Sequence, residues 1–229
     1  MIQDNVKRIQ DQIASICQKI GRNPKEITLI AVTKFAPVDK IEQALFAGIS
    51  HVAENKVQEG LSKYPQLKGP GSPITRHMIG HLQSNKAKDA LKVFDLIQSV
   101  DSLKLAQEID QQAEKIGRTA DILVQINTAQ EEQKYGLAPE ETLSLMESVS
   151  ALKHLRVQGL MAMAPLTEDQ EMIRDSFRKC REWRAKIALQ FKGAGNIEMK
   201  YLSMGMSQDF PLAIAEGSNM VRIGSAIFK

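Results

Sequence analysis

The sequence is poor in cysteine: it has two, Cys17 and Cys180, in 229 residues. They lie far apart in helix-like segments, and neither has a CxxC partner. This excludes a zinc ribbon and a disulfide-built miniprotein, and predicts two buried free thiols. Aromatic residues are scarce at 5%, which argues against a base-stacking platform. Charge of one sign is also lacking: 30 basic side chains stand against 27 acidic ones, without the concentrated basic face of a nucleic-acid binder. No apolar run approaches the roughly 20 residues needed to cross a bilayer. The N-terminal stretch MIQDNVKRIQDQ has no apolar h-region, so a cytoplasmic chain without membrane or nucleic-acid partners is expected. Neither GxGxxG nor GxxxxGK followed by Ser or Thr occurs, which removes the main support for Rossmann and P-loop chemistry.

What is present is an alternation of element types. Val6, Ile9, Ile13, Ile16, Cys17 and Ile20 recur at helical spacing over Gln3–Ile20, and Gly21 follows as a stop. Eight short apolar runs then read as strands: Thr28–Thr33, His51–Ala53, His77–Ile79, Leu96–Ser99, Ile122–Ile126, Val157–Met161, Lys200–Ser203 and Met220–Ile223. Most lack polar alternation, as strands covered on both faces do. Helix-period segments separate them: Val38–Ala47, Asn55–Leu61, Ser84–Leu91, Ser102–Ile116, Pro139–Leu152, Glu168–Phe191 and Gln208–Ala215. Eight strands alternating with helices, and no dividing linker, predict an α/β fold: one (β/α)8 TIM barrel over residues 1–229.

In such a barrel, function sits at the C-terminal ends of the strands. Lys34 follows a wholly apolar strand, where a partly desolvated amine can attack a carbonyl; a lysine lifting its head into solvent is the other reading. The loops after strands seven and eight, SMGMS at 203–207 and RIGSA at 222–226, combine Gly with Ser. Barrels bind phosphate there, through backbone N–H groups and hydroxyls. Arg222 stands beside those loops; either it makes a surface ion pair or it meets a phosphate or ring nitrogen inside the barrel. A lysine plus a phosphate cup suggests a phosphorylated aldehyde. Pyridoxal 5′-phosphate (PLP) fits, and so does the substrate of a Schiff-base sugar-phosphate aldolase. His77 and His81 lie four apart in HMIGH, but across a strand end and without an HExxH glutamate, so no metal site is expected. Met161, Met163, Met204 and Met206 read as core and pocket lining. Glu131, Lys134 and Gly136 form a polar loop after strand five, solvated or serving as a lid.

Several segments together carry a family resemblance: AVTK at 31–34, AEN at 53–55, HMIGHLQSNK at 77–86, SVDS at 99–102 and QIN at 125–127. Glu131 with Lys134 and Gly136, GLMAMAP at 159–165, LSMGMSQDF at 202–210 and VRIGSAIF at 221–228 continue it in order. The chain resembles the pyridoxal phosphate homeostasis protein family (YggS/PROSC-like). The resemblance implies a barrel similar to the N-terminal domain of bacterial alanine racemase, holding PLP as an aldimine on Lys34. It implies Asn55 as a cofactor-pocket residue and Ser203, Ser207, Gly224 and Ser225 as the phosphate cup. Arg222 is the implied partner of the pyridine nitrogen. A pyridine paired with Arg is a poorer electron sink than one paired with Asp, which favours holding PLP or racemase-like chemistry.

Two motifs depart from the family pattern. VAEN stands in place of FGEN, and Phe35-Ala36-Pro37 replaces a Thr-Lys-Pro-like run, removing a second nearby lysine. Lys134 remains as a secondary amine. The chain ends at Lys229 directly after the last motif, with no residues for the β-domain of alanine racemase, and its tyrosines are Tyr64, Tyr135 and Tyr201. A racemase needs an acid–base group on each face of the cofactor, and only Lys34 is evident. The expectation is therefore a monomeric PLP carrier without catalytic residues or metal, exchanging cofactor with apo-forms of PLP enzymes. The alternative is an amino-acid racemase of the alanine racemase type.

Overall fold

The computed structural model describes residues 1–129 and 135–229. Eight parallel strands follow one another around a closed barrel in sequence order, β8 pairing with β1. They are β1 (Thr28–Val32), β2 (His51–Glu54), β3 (Thr75–Met78), β4 (Leu96–Val100), β5 (Ala120–Gln125), β6 (Leu155–Met161), β7 (Ile197–Ser203) and β8 (Met220–Ile223). The helices are α1 (Ile2–Lys19), α2 (Val38–Phe46), α3 (Val57–Lys63), α4 (Ala87–Val93), α5 (Leu103–Lys115), α6 (Thr142–Ser150), α7 (Gln170–Gln190), α8 (Phe210–Ala215) and α9 (Ser225–Phe228). The barrel foreseen from the sequence is the barrel observed.

The local reasons are visible. In α1 the buried positions are Ile2, Val6, Ile9, Ile13 and Cys17, one stripe at helical spacing. Each apolar side chain so buried contributes about 1.5–3 kcal/mol. That stripe packs on α2, α8 and α9. Ser102 caps α5 by accepting from the Leu105 N–H at 3.4 Å, and Asp169 caps α7 by accepting from Glu171 and Met172 at 2.9 and 3.3 Å. The strands' outward faces and the helices form the larger core. A second cluster fills the barrel: Ile30, Ala53, Leu96, Leu123, Met161 and Met220. Ala53, where the family pattern has glycine, places its methyl in this interior cluster. Both cysteines are buried free thiols, and burial pushes Cys180 up to about 12.

Strands β3, β5, β6 and β7 begin earlier than their apolar runs suggest. The added residues include Thr75, Asp121, Arg156 and Glu198, which border a cavity at the N-terminal end of the barrel. Polar side chains at that rim interrupt the apolar pattern without ending the strand. The four-residue helix α9 is not anticipated by the sequence either, being too short to show a period. Glu131 and Lys134 lie outside the described residues.

Candidate functional site

Parallel strands bring all eight C-terminal ends to one rim. Lys34 lies two residues past β1, on a turn closed by the Ala36 N–H donating to the Thr33 carbonyl at 2.9 Å. Of the two readings of Lys34, a partly desolvated amine or one lifted into solvent, the structure shows the second. Lys34 is exposed, with Nζ 5.3 Å from the Phe35 ring centroid, because the chain has already left the strand when it reaches this residue.

The backbone beneath Lys34 is held from behind. The Thr33 hydroxyl donates to Glu54 Oε1 at 2.7 Å, and Lys63 Nζ donates to the Thr33 carbonyl and to Glu54 Oε1, each at 3.1 Å. Glu54 is fully buried and the Lys63 side chain is only 14% exposed. Burial pulls the Lys63 ammonium down, but hydrogen bonds to Glu59 and Glu54 outweigh it and hold the group above the ordinary lysine value. Removing Lys63 leaves a buried carboxylate without its cation. Lys63→Met is expected to destabilise the protein by about 3–5 kcal/mol, with part recovered in the Glu54→Gln/Lys63→Met double variant, as measured by urea unfolding. Because Lys63 binds its proton more tightly when folded, its contribution is complete below the unfolded lysine value of 10.5 and is lost as pH rises through the folded one. An unchanged urea midpoint in Lys63→Met would remove this pair from the account.

Next around the rim, Asn55 is half-buried and its Oδ1 is buried without a hydrogen-bond partner among the described residues. Gly80 packs against its backbone: a Cβ there would collide with the Asn55 carbonyl. Gly80→Ala is expected to displace Asn55 and lower stability by about 1–3 kcal/mol, read as a fall in thermal midpoint. Ser99, at the end of β4, also has a buried hydroxyl with no partner among the described residues. With Glu54 Oε2, three buried polar atoms at this rim lack a partner among the described residues; Asn55 Oδ1 and Ser99 Oγ fit a polar ligand that completes them.

The loops after β7 and β8 are joined to each other. The Arg222 N–H donates to the Gly205 carbonyl at 2.9 Å, and the Met204 N–H to the Met220 carbonyl at 3.1 Å. Gly205 has φ +94, and a Cβ there would come within 2.6 Å of the Ala213 Cβ. Only glycine lets this loop lie so close to α8. Gly224 is the N-cap of α9, so the Ser225 and Ala226 N–H groups have no acceptor within that helix. Ser207 is half-buried and Ser225 exposed, and neither hydroxyl has a partner among the described residues. These groups can receive a phosphate. α1 steadies them from outside: the Asn5 side-chain amide donates to the Ile227 carbonyl at 3.0 Å.

Arg222 is not at the surface. Its register partner is Ile30, a residue of the barrel interior, and it is buried. Its Nη1 donates to the Ser203 carbonyl at 2.6 Å and to Ser203 Oγ at 2.7 Å, and Nη2 donates to the Ala162 carbonyl at 3.0 Å. Burial lowers its pKa to about 10, against the opposing pull of Asp209, so it stays charged at neutral pH. Two of its five N–H groups remain without a partner among the described residues. They can meet an unprotonated ring nitrogen. Ser203 therefore supports Arg222, its hydroxyl engaged by Arg222 and by Gln98 Oε1 at 2.6 Å, while Ser207, Gly224 and Ser225 stay open.

The two histidines of HMIGH are not brought together. His77 is buried inside the barrel, whereas His81 is exposed at the rim, stacked on Tyr135 with centroids 4.2 Å apart and 3.6 Å from an Asp101 oxygen. Glu54 and Ser99 stand at strand ends, as the sequence places them; the sequence reading missed Gln98. Its signal was a polar residue within an otherwise fully buried strand, LIQSV.

Comparison with known proteins places this geometry. The alanine racemase N-terminal domain family matches residues 5–229. A pyridoxal phosphate homeostasis protein of Haemophilus influenzae is 38% identical over 227 residues, covering 99% of this chain and 94% of that protein. That of Escherichia coli is 37% identical over 234 residues, covering 99% and 95%. Among solved structures, PipY of Synechococcus elongatus with PLP bound superposes with a TM-score of 0.83 at 35% identity, covering 96% of this chain and all of that one. Alanine racemase of Clostridium difficile shares the fold, with a TM-score of 0.72 at 18% identity over 98% of this chain and 55% of that one. The chain belongs to the pyridoxal phosphate homeostasis protein family, built on the barrel of the alanine racemase N-terminal domain.

Proposed function

We propose that residues 1–229 form one PLP-binding domain that holds PLP at the C-terminal rim of the barrel and takes part in PLP homeostasis by storing and delivering the cofactor. The observation that carries this reading is the convergence of three differently built groups on one rim. Lys34 offers an amine, the Ser207 and Gly224–Ser225 loops offer donors for a phosphate, and Arg222 offers unpartnered N–H groups from below. Asn55 completes the pocket wall. PLP, when bound, would supply an aldehyde, and Lys34 would be the amine that holds it. The protein's remaining work is to grip: the loops hold the phosphate, and Arg222, positively charged and a donor only, favours a ring nitrogen that carries no proton. That arrangement suits retention over turnover.

The relatives' family and the PLP-bound PipY structure support this reading. Exchange with apo-forms of PLP enzymes, a monomeric state and a cytoplasmic location complete the proposal; among the described residues, no helix is long and apolar enough to cross a membrane. The experiment is an absorption spectrum of the purified protein, borohydride reduction and peptide mass mapping. A visible band and a reduced pyridoxyl group on Lys34 are expected. No band and no adduct after incubation with PLP would overturn the proposal. Turnover of one amino-acid enantiomer that vanishes in Lys34→Ala would instead make the protein a racemase.

A further inference from the structure

A line of buried polar side chains runs from Arg222 through the barrel to its opposite end. Ser203 Oγ meets Gln98 Oε1 at 2.6 Å, Gln98 Nε2 meets His77 Nδ1 at 2.9 Å, and His77 Nε2 meets His51 Nδ1 at 2.9 Å. Ser203, Gln98 and His77 are all buried, while His51 is half-buried and borders a cavity of about 350 Å3 at the N-terminal end of the barrel. No residue of this line except Arg222 and Ser203 belongs to the rim.

The chemistry of the groups sets the direction of every bond. Arg222 can only donate, so Ser203 Oγ accepts from it and gives its single proton to Gln98 Oε1. The Gln98 amide then presents Nε2 to His77, which must accept at Nδ1. A neutral His77 carries its proton on Nε2 and donates to His51 Nδ1. His51 in turn carries its proton on Nε2, which has no partner among the described residues. Burial, with His51 adjacent, pushes His77 down to about 3, and burial lowers His51 as well, so both rings are neutral at pH 7. A chain aligned this way is mutually polarised, each donor strengthening the next.

We propose that Gln98, His77 and His51 are positioning residues for Arg222: a one-way hydrogen-bond relay that clamps Ser203 as an acceptor and so aims the arginine's two unused N–H groups at the ring nitrogen of bound PLP. The aim toward PLP rests on the function proposed above; the relay itself does not. Without Gln98, Ser203 can turn its hydroxyl proton elsewhere, and Oγ is no longer fixed as the second acceptor of Nη1. The bonds to the Ser203 and Ala162 carbonyls remain, but the guanidinium loses one of its three anchors and its aim at the nitrogen loosens. Sub-ångström slack of this kind is what supporting shells around a binding group prevent.

The test starts on the PLP-free protein, by 15N NMR of histidine and arginine side chains at pH 7. The expected result is His77 and His51 both protonated on Nε2, with resolved, slowly rotating Arg222 guanidinium signals. Gln98→Leu is expected to shift and broaden those guanidinium signals as one of the three anchors is loosened. Gln98→Glu, which accepts from Ser203 but cannot donate to His77, is expected to move the His77 proton to Nδ1. With ring-15N PLP, Gln98→Leu should shift the pyridine nitrogen toward its unbonded position and weaken binding about tenfold. A His77 proton on Nδ1 in the wild type would overturn the relay. So would unchanged Arg222 signals in Gln98→Leu. If Gln98→Leu fails to fold, His51→Gln at the open end serves, with changed His77 and Arg222 signals expected and unchanged ones overturning the relay. A wild-type protein that takes up no PLP but shows the relay signals would sink the cofactor reading alone.

Discussion

Replacing Lys34 with alanine is expected to abolish the covalent pyridoxyl adduct completely while leaving the fold untouched. The two halves of that expectation come from different observations. Lys34 is the exposed amine at the end of β1, whereas the neighbouring Lys63 amine is held by Thr33, Glu54 and Glu59. Yet its side chain is exposed, and among the described residues it meets only the Phe35 ring, at 5.3 Å. Surface changes of this kind usually alter stability by no more than about 0.5 kcal/mol. The turn that carries it is held by Thr33, Glu54 and Lys63, none of which the substitution touches. The phosphate loops and Arg222 also survive, so PLP should still bind, reversibly and without the visible band of the condensed form. Borohydride reduction with mass mapping reads the adduct, and equilibrium dialysis reads the residual binding. An adduct of undiminished yield on another lysine would remove Lys34 from its role.

Arg222→Ala is expected to strike affinity and stability together. Loss of a charge-assisted hydrogen bond to the ring nitrogen costs about 1.5–3 kcal/mol, or roughly 10- to 150-fold in the dissociation constant. The structural cost is separate. The Ala162 carbonyl loses its side-chain donor inside the barrel, and an orphaned acceptor costs about 1–3 kcal/mol, whereas the Ser203 carbonyl keeps the Ala162 N–H at 3.1 Å. Arg222→Lys keeps the charge but not the fork, and should fall between the two in PLP titration and thermal unfolding. Affinity unchanged in both variants would sink the assignment of Arg222 to the ring nitrogen. Affinity lost with stability unchanged would contradict the bonding pattern described for its other N–H groups.

The wholly apolar run of β1 located Lys34, and the Gly–Ser loops after β7 and β8 located Ser207, Gly224 and Ser225. Those signals are local, because a strand end and a glycine turn are properties of a few consecutive residues. Depth was not legible. HMIGH gives no hint that His77 is interior and His81 is at the surface, since a strand's inward and outward positions depend on register with its neighbours. Whether Lys34 is partly desolvated or lifted into solvent was open in the sequence; it is exposed, with β1 ending at Val32, one residue before the Thr33 read from the apolar run. Ser203 looked like a loop hydroxyl for phosphate, whereas barrel closure turns it inward onto Arg222 and Gln98.

By itself, the sequence determined the alternation of strand and helix, and with it the barrel, because apolar periodicity and right-handed βα connection leave little else for eight such units to form. Only the tertiary structure decided which polar side chains meet inside. Gln98 and Ser203 are 105 positions apart and touch because their strands face each other across a closed barrel. No local pattern encodes a contact across that interior; it exists only once the last strand has paired with the first.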